Sequence, residues 1–353
     1  MTPAERPDGV LSAPTGALVR QALIDAHEPD PGAQISVTPL PGGASRDAWI
    51  ISGAAGRYVL KRDPVEEKTP WSSRQREYLG ALAAYQAQVP VARPVCFEPA
   101  GGRFVSAAII SAWTDGAASP RRILAMHDST KSRNALLYDI GRAAGRLSRI
   151  DVAAAIGAAD ANDHVSPLGD ATHNDGSADI LSATLAAFTR DLLRLCPDRP
   201  VLAIGLRWLM INRPPLAAPV LVHGDFRLGN LMVGDNGLSA LIDWEFCRSG
   251  DRATDLGFFC MRPWRFGHDQ NRAGGLGDLA TLLDGYNATS NFEMTPARVH
   301  YAEVLGQLWW GLYCLRNSRA YGDGEHRNLQ RLVLGRRIAE IEWDLLKLMD
   351  EVH

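Results

Sequence analysis

Two short polar stretches of this 353-residue chain carry the residue types that acid–base and metal chemistry require. Residues 223–230 read HGDFRLGN and residues 241–245 read LIDWE. Asp225 supplies a carboxylate that can receive a proton. Asn230 and Asp243 supply the amide and carboxylate oxygens that a divalent ion such as Mg²⁺ prefers. Together these groups predict transfer of a phosphoryl group to a hydroxyl acceptor.

A β-hairpin between the two stretches is predicted to bring the metal ligands together. Residues 234–237 read GDNG and are flanked by short apolar runs. Asn-Gly in this setting is a strong hairpin signal, because both residues tolerate positive φ. With Asn236 and Gly237 as the two turn residues, the register pairs Asn230 with Asp243 on one face, with Cα atoms about 4.5–5.5 Å apart. A shift of one residue would break this pairing.

The order Asp225, four residues, Asn230 and then a metal-binding Asp243 repeats the catalytic-loop spacing of protein kinases. Gly224 replaces the kinase Arg, and Asp-Trp-Glu replaces Asp-Phe-Gly. In these features the chain resembles the aminoglycoside phosphotransferase and choline kinase superfamily, from about residue 35 to its C-terminus. The alternative is a polar turn in an unrelated fold.

The resemblance implies an α+β, two-lobed protein-kinase-like fold, with an antiparallel-sheet N-lobe and a mostly helical C-lobe. We place the N-lobe at 1–112, with 1–15 loose, and the C-lobe at 113–353. ATP and Mg²⁺ are the implied cofactors. Asp225 is then the catalytic base, and Asn230 and Asp243 are the metal ligands.

A glycine loop and a lysine are the predicted phosphate-binding elements. Residues 41–45 read PGGAS between two predicted strands, so the loop with Gly42, Gly43 and Ser45 can present backbone N–H groups to phosphates, although a simple hairpin is the alternative. Strand alternation places Lys61 opposite to Arg62, which favours Lys61 as the phosphate lysine over a solvated edge lysine.

Glu77 is the predicted partner of that lysine. It lies on the first turns of a predicted helix, where kinase-like sites carry the glutamate that orients the lysine. Glu66 and Glu67 are nearby competitors. Resemblance also places the adenine-binding hinge at Ser111 to Trp113.

Four further residues have weaker assignments. By resemblance His223 braces the catalytic loop, and Asp255 accepts N–H bonds from that loop, with a simple N-cap as the alternative. Arg227 either neutralises the γ-phosphoryl group or forms a surface ion pair. Glu245 either reaches the metal through water or caps a turn.

The remaining elements were predicted from apolar periodicity and from Gly and Pro positions. Strands are predicted near 35–40, 48–52, 57–62, 93–97, 103–113 and 220–222. Helices are predicted at 16–26, from 74, and at 132–149, 180–195, 200–211, 271–288, 295–320 and 325–350. The stretch 153–179 is predicted to be a long loop.

Bulk composition narrows the function classes. A net charge of −3 gives no indication of nucleic acid or an anionic membrane as a partner. Five scattered cysteines without a Cys-x-x-Cys pair are typical of a reducing compartment and argue against structural zinc. We therefore expect a cytoplasmic protein that binds a nucleotide and a small-molecule acceptor.

The acceptor is suggested only by the stretch 257–267, GFFCMRPWRFG, which is either core with surface arginines or a basic, aromatic part of the acceptor pocket. A basic pocket would suit a neutral or anionic acceptor. The stretch also resembles kinase-like domains found beside acyl-CoA dehydrogenases, which are associated with hydroxyacyl-CoA phosphorylation. Trp309 and Trp310 either line the same cleft or belong to the core. An antibiotic kinase and a regulatory pseudokinase are the rival hypotheses.

Overall fold

The N-terminal part of the protein is built on a five-stranded antiparallel sheet. The computed structural model describes residues 13–40, 47–63, 73–160, 179–325 and 328–351. The sheet has the spatial order β1-β2-β3-β5-β4. Its strands are β1 (Ser36–Pro39), β2 (Asp47–Gly53), β3 (Gly56–Arg62), β4 (Pro94–Glu98) and β5 (Ala108–Ala112), with helix α1 (Gly16–Asp25) before them and α2 (Arg74–Gln86) between β3 and β4.

Alternation along β3 determines which side chains reach the interior of this lobe. Tyr58 and Leu60 are buried in its apolar core, whereas Lys61 lies on the opposite face. Arg62 returns to the core side, where its guanidinium lies over the ring of Trp49. The predicted opposition of Lys61 and Arg62 is therefore confirmed, and Lys61 faces away from the lobe core.

The rest of the chain is mostly helical. Its helices are α3 (Pro120–Met126), α4 (Thr130–Leu147), α5 (Val152–Asp160), α6 (Ile180–Leu195), α7 (Pro200–Ile211), α8 (Thr254–Cys260), α9 (Leu279–Asn287), α10 (Pro296–Gly322), α11 (Leu329–Leu334) and α12 (Ile338–Asp350). Four short strands, β6 (Val220–Val222), β7 (Leu231–Gly234), β8 (Gly237–Leu241) and β9 (Arg248–Gly250), pair as β6 with β9 and β7 with β8. The two-lobed α+β prediction is confirmed. Over the described ranges, every helix is too short or too polar to cross a bilayer.

Four element predictions were wrong in part. The helix predicted at 271–288 begins only at Leu279, after an isolated bridge between Ala273 and Gly277. The strand at 103–113 begins only at Ala108, because Phe104 is buried by a turn in which Val105 has φ +70°. The loop at 153–179 begins as α5, whose alanine-rich sequence has high helix propensity; 161–178 lie outside the described residues. The helix at 325–350 is interrupted by a 3₁₀ turn, Gly335–Arg337.

Glycines allow α4 and α9 to pack closely against each other. A Cβ atom at Gly141 would clash with the carbonyl oxygen of Leu282, and one at Gly285 would clash with that of Tyr138. The core around this contact also contains Phe226 of the catalytic loop. The helix pair and Phe226 therefore belong to one apolar core.

Backbone hydrogen bonds hold the β7–β8 hairpin at two points. The N–H groups of Ala117 and Val233 donate to each other's carbonyl oxygens at 2.8 and 2.9 Å. The N–H of Leu241 donates to the carbonyl oxygen of Pro90 at 2.8 Å. The β7–β8 hairpin is thus bonded to the segment before β4 and to the segment after β5.

Candidate active site

Asp255 holds the beginning of the catalytic loop. Its two carboxylate oxygens accept the backbone N–H groups of His223 and Gly224 at 2.8 and 2.9 Å. Asp255 itself is buried in the first turn of α8, after the N-cap Ala253. Gly224 has φ +81°, and a Cβ there would clash with the carbonyl of Phe246. The predicted N–H bonds to Asp255 are confirmed, and the tight turn requires glycine.

His223 braces the loop from inside. Its ring is fully buried, and its Nδ1 atom accepts the N–H of Asp225 at 3.3 Å. That bond leaves the proton on Nε2, which donates to the carbonyl oxygen of Ile242 at 3.0 Å. The ring also packs on Trp244, with centroids 4.8 Å apart. Both ring nitrogens are engaged, so His223 links the catalytic loop to the segment that carries Asp243.

Asn230 and Arg227 orient the carboxylate of Asp225. The Nδ2 atom of Asn230 donates to the backbone oxygen of Asp225 at 2.9 Å and to its Oδ2 at 2.6 Å. The Nε atom of Arg227 donates to Oδ1 at 2.9 Å. Asn230 ends a 3₁₀ turn, Leu228–Asn230, and is buried. Both carboxylate oxygens of Asp225 therefore accept a hydrogen bond, which fixes the orientation of the carboxylate.

Burial and neighbouring charges shift the pKa values of Asp225 and Arg227. Burial raises the pKa of Asp225, and the charge of Asp243 raises it further, while Arg227 opposes both effects. Burial lowers the pKa of Arg227, but Asp225, Asp243 and Glu245 together raise it above its ordinary value. The Asp225 pKa ends above its ordinary value, which moves this carboxylate toward the range useful to a general base.

The predicted register of the hairpin was wrong. The observed pairs include Leu231 with Leu241 and Gly234 with Gly237, and a bulge interrupts the ladder between Met232 and Val233. The turn therefore consists of residues 235–236. Of the residues in this turn and its flanks, Gly237 alone has positive φ, at +98°. That arrangement suits a type I turn with glycine in its last position rather than the Asn-Gly turn expected from the sequence.

Asn230 lies opposite Ile242, and Asp243 reaches the site in a different way. The N–H of Ile242 donates to the carbonyl oxygen of Asn230 at 3.0 Å. Asp243 follows with φ +68°, a conformation that is uncommon for a residue with a side chain and that recurs at functional sites. The left-handed residue, rather than a cross-strand pair, brings the carboxylate beside Asp225.

Lys61 reaches across from the N-terminal lobe. Its Nζ atom lies 3.1 Å from Oδ1 of Asp243 and 3.4 Å from Oε1 of Glu77. The predicted Lys61–Glu77 contact is therefore confirmed; Glu66 and Glu67 lie outside the described residues. Burial lowers the pKa of Lys61, but the two carboxylates together raise it above its ordinary value. Lys61 is therefore a charged ammonium group.

The donor set suits a hard divalent cation. The amide of Asn230 uses its nitrogen on Asp225, which leaves its oxygen as the remaining polar atom, and Asp243 adds a carboxylate. Within the described ranges no three His, Cys, Asp or Glu side chains form a cluster able to hold an ion. Magnesium accepts such a sparse protein ligand set, because phosphate oxygens and water complete its shell.

Arg74 contacts this site but was not anticipated. Its Nη1 atom donates to Oε2 of Glu77 at 2.6 Å, and its side chain is fully buried. The three-residue spacing of Arg74 and Glu77 on one helix was a visible signal. The burial of the pair was not visible in the sequence.

The family of the chain follows from comparison with known proteins. The profile of the APH phosphotransferase enzyme family matches residues 36–292. The chain belongs to this family. A stretch of 64 residues is also 34% identical to mouse acyl-CoA dehydrogenase family member 10, and covers 18% of this phosphotransferase and 6% of the mouse protein.

Solved structures share the fold of this phosphotransferase over most of its length. A proposed aminoglycoside phosphotransferase from Ralstonia eutropha has a TM-score of 0.66 at 19% identity, over 95% of this chain and 98% of that one. Ethanolamine kinase from Plasmodium vivax has a TM-score of 0.56 at 15% identity, over 87% and 81% of the two chains. Aminoglycoside phosphotransferase APH(4)-Ia, solved with ADP and hygromycin B, has a TM-score of 0.56 at 14% identity, over 94% and 97%. At these identities the comparison establishes the fold.

The predicted hinge of the phosphotransferase lies at the end of β5. Ser111 pairs with Val59 in the sheet. The N–H of Trp113 donates to the carbonyl oxygen of Arg57 at 3.0 Å, and the Arg57 guanidinium covers the Trp113 ring at 3.8 Å. An adenine contact from Trp113 would therefore use its carbonyl oxygen rather than its N–H. The predicted loop residues Gly42, Gly43 and Ser45 lie outside the described residues.

The apolar part of the stretch 257–267 is buried in the phosphotransferase, and its two arginines form ion pairs. Arg262 pairs with Asp344 at 2.9 Å, and Arg265 pairs with the fully buried Glu303 at 2.8 Å. Carboxylates from α10 and α12 thus pair with both arginines, and Glu303 also pairs with Arg272. The indication of a basic acceptor pocket loses its main support.

Aromatic side chains from the same region nevertheless border the site. Trp264 is buried, and its ring lies 5.2 Å from the guanidinium of Arg227. Trp309 and Trp310 are buried as well, and both stack with Tyr313. Burial raises the pKa of Tyr313, and the negative charges of Glu245 and Asp225 add to that effect. Tyr313 is therefore close enough to Asp225 to interact with its charge, a relation that sequence periodicity on α10 did not indicate.

Proposed function

We propose that this chain transfers the γ-phosphoryl group of ATP to a hydroxyl group of a small molecule, with Mg²⁺. The observation that carries the proposal is the convergence of Asp225, Asn230 and Asp243 with Lys61 from the opposite lobe. Kinase-like phosphoryl transfer depends on such positioning and on charge neutralisation. Bound Mg²⁺ would neutralise charge on the phosphate oxygens.

Each side chain has a role in this proposal. Asp225 accepts or orients the proton of the attacking hydroxyl. Asn230 and Asp243 hold the cation. Lys61 binds the nucleotide phosphates, and Glu77 orients Lys61. Arg227, which is partly exposed and bonded to Asp225, is available to the γ-phosphoryl group.

Nucleotide binding is proposed for the cleft between the lobes. Proteins of the same fold have been solved with ADP, with GDP and with AMP-PNP. The glycine loop at Gly42, Gly43 and Ser45 would cover the phosphates, and the backbone of Ser111 to Trp113 would contact adenine. ATP is our proposed donor, with GTP as the alternative that a competition assay tests.

For the acceptor we propose a neutral or anionic hydroxyl metabolite, with hydroxyacyl-CoA as the first class to test. The short match to an acyl-CoA dehydrogenase family member supports that class. The ion pairs of Arg262 and Arg265 weaken the electrostatic argument for an anionic acceptor and leave neutral alcohols equally suitable.

An antibiotic kinase is the second candidate. Proteins of this fold include one solved with hygromycin B and a macrolide 2'-phosphotransferase from Brachybacterium faecium. A regulatory pseudokinase is less compatible with the residues present, since a protein without catalysis need not keep Lys61, Asp225, Asn230 and Asp243 together.

Substrate-dependent ADP release tests the proposal. Purified protein with MgATP should be screened against hydroxyacyl-CoAs, neutral hydroxylated metabolites, aminoglycosides and macrolides. We expect release with one acceptor class in the wild type and its loss in Asp225→Asn. Activity confined to antibiotics would favour the second candidate. Intact ATP binding without release or slow hydrolysis would favour a pseudokinase, and activity unchanged in Asp225→Asn would refute the assigned base.

A further inference from the structure

A buried arginine occupies the first position of α2. Ser73 caps this helix through the N–H of Arg76 at 3.3 Å, and Arg74 follows the cap directly. Cations are unfavourable at a helix N-terminus, because the exposed N–H groups there carry partial positive charge. The Arg74 side chain is nevertheless fully buried. The preferences of a helix N-terminus do not explain an arginine at this position. The contacts of the Arg74 side chain must therefore explain it.

Arg74 bridges the strand that carries Lys61 and the helix that carries Glu77. Its Nε atom donates to Oδ1 of Asp63 at 2.9 Å, and its Nη1 atom donates to Oε2 of Glu77 at 2.6 Å. Asp63 follows β3 directly and is bonded to the sheet through its N–H and the carbonyl of Ala107 at 2.9 Å. The guanidinium therefore connects the first turn of α2 to the sheet, two residues beyond Lys61.

The two oxygens of Glu77 are divided between two cations. Oε2 is bonded to Arg74 at 2.6 Å, whereas Oε1 contacts Lys61 at the longer distance of 3.4 Å. Because Arg74 takes the closer share of the negative charge, Glu77 can orient Lys61 without fully neutralising it. The ammonium group then retains positive charge for an incoming phosphate.

We propose that Arg74 is a positioning residue for the phosphate lysine. It fixes Glu77 relative to β3 and shares the charge of that carboxylate, so that Lys61 is aimed at the nucleotide phosphates. Arg74 acts through Glu77 and does not touch the nucleotide. This inference rests on the proposed function, since it requires a nucleotide phosphate near Lys61.

Binding of ATP and adenosine separates this role from a general structural one. Affinities should be measured by displacement of a fluorescent ATP analogue from the full chain. In Arg74→Lys, which keeps the charge but loses the two-pronged bond, we expect about a tenfold loss of ATP affinity, the size expected for one charge-assisted hydrogen bond. Adenosine, which lacks phosphates, should bind within about twofold of wild type. Asp63→Asn, which weakens one of the two bonds, should cause a smaller loss of the same kind.

Arg20→Met is the matched control. Arg20 is an arginine of the same lobe whose ion pair with Asp30 is exposed, so its loss should change neither affinity. If Arg74→Lys unfolds, Asp63→Asn carries the test, because it leaves Arg74 and Glu77 bonded. An equal loss of ATP and adenosine affinity in the Arg74 and Asp63 variants would show a purely structural role and overturn the inference.

A double-mutant cycle with Lys61→Met completes the test. If Arg74 acts on phosphate through Lys61, Arg74→Lys should cause no further loss of ATP affinity in the Lys61→Met background. Additive losses would overturn the inference while leaving the proposed function intact. A wild-type protein that binds neither ATP nor adenosine would instead refute the proposed function, and the inference with it.

Discussion

The Nζ atom of Lys61 lies 3.1 Å from Oδ1 of Asp243, so one ion pair joins β3 of the N-terminal lobe to the segment that follows the β7–β8 hairpin. Both side chains are partly exposed, at 26% and 35% of their surface. In the proposed function, Lys61 binds a nucleotide phosphate and Asp243 binds the cation. The ion pair between them therefore describes the protein without nucleotide, and MgATP would replace it.

Asp243→Asn should weaken the binding of MgATP much more than the binding of free ATP. The amide keeps the size of the side chain but loses the charge that the cation requires. We expect about a tenfold loss of affinity with Mg²⁺ by isothermal titration calorimetry, and little difference from wild type in EDTA. Asp235→Asn, in the exposed turn of the same hairpin, is the control. Equal MgATP affinity in Asp243→Asn and wild type would count against the metal role.

Asp225→Asn should separate catalysis from stability. Turnover should fall by about 10²–10⁴-fold, the usual contribution of a positioned base, while ATP affinity changes little. Because burial raises the pKa of Asp225, its charged form is costly in the folded protein. The variant should therefore unfold at an equal or higher urea concentration than wild type at pH 7. A marked loss of stability would contradict this account of the site.

The raised pKa of Asp225 also determines how kcat/KM and the stability of the folded protein change with pH. The base must be ionised, so kcat/KM should decline as the pH falls through the pKa of Asp225, starting above the range of an ordinary aspartate. The folded state binds this proton more tightly than the unfolded state. The stability that this group contributes is present at low pH and is lost as the pH rises through the folded-state pKa.

Comparison of wild type and Asp225→Asn isolates the pH dependence of stability that is due to Asp225. The stability difference in favour of the variant should grow as the pH rises from about 4 to 7, measured by urea unfolding at each pH. A difference that shrinks over this range would mean that the pKa of Asp225 is lowered rather than raised.

Alanine substitutions should have opposite effects at two kinds of helical glycine. Gly141→Ala places a methyl group against the carbonyl of Leu282 at the α4–α9 contact, so we expect destabilisation by about 1–3 kcal/mol. Gly157 of α5 has open space around the added atom, and Gly157→Ala should stabilise the protein by about 0.5–1 kcal/mol. Urea unfolding measures both, and destabilisation of similar size at the two sites would contradict the close helix contact.

The sequence predicted those parts of the site that depend on local order along the chain. Asp225, Asn230 and Asp243 are close in sequence, and strand alternation was sufficient to select Lys61 over Arg62. The hairpin register was not predictable in the same way, because Asn-Gly is compatible with more than one turn and the bulge depends on backbone φ values. Asp243 compensates through its own left-handed conformation, which no residue type specifies.

Burial and distant pairing account for the other differences. The ion pairs of Arg262 and Arg265 were not predicted, because their carboxylate partners Asp344 and Glu303 lie 82 and 38 residues away in the sequence. The burial of Arg74 was not predicted either, because it depends on how α2 packs on the sheet. Such pairs depend on tertiary packing, which sequence periodicity does not predict.

The hydrogen bond of the β7–β8 hairpin to Pro90 limits how the cleft can open, because it joins the hairpin to the N-terminal lobe. A movement that separated the lobes as rigid bodies would break this bond between Leu241 and Pro90. A rotation that retains the bond makes it a pivot. The ion pair between Lys61 of β3 and Asp243 can then break, so we expect a nucleotide to enter as the sheet rotates about the bond to Pro90.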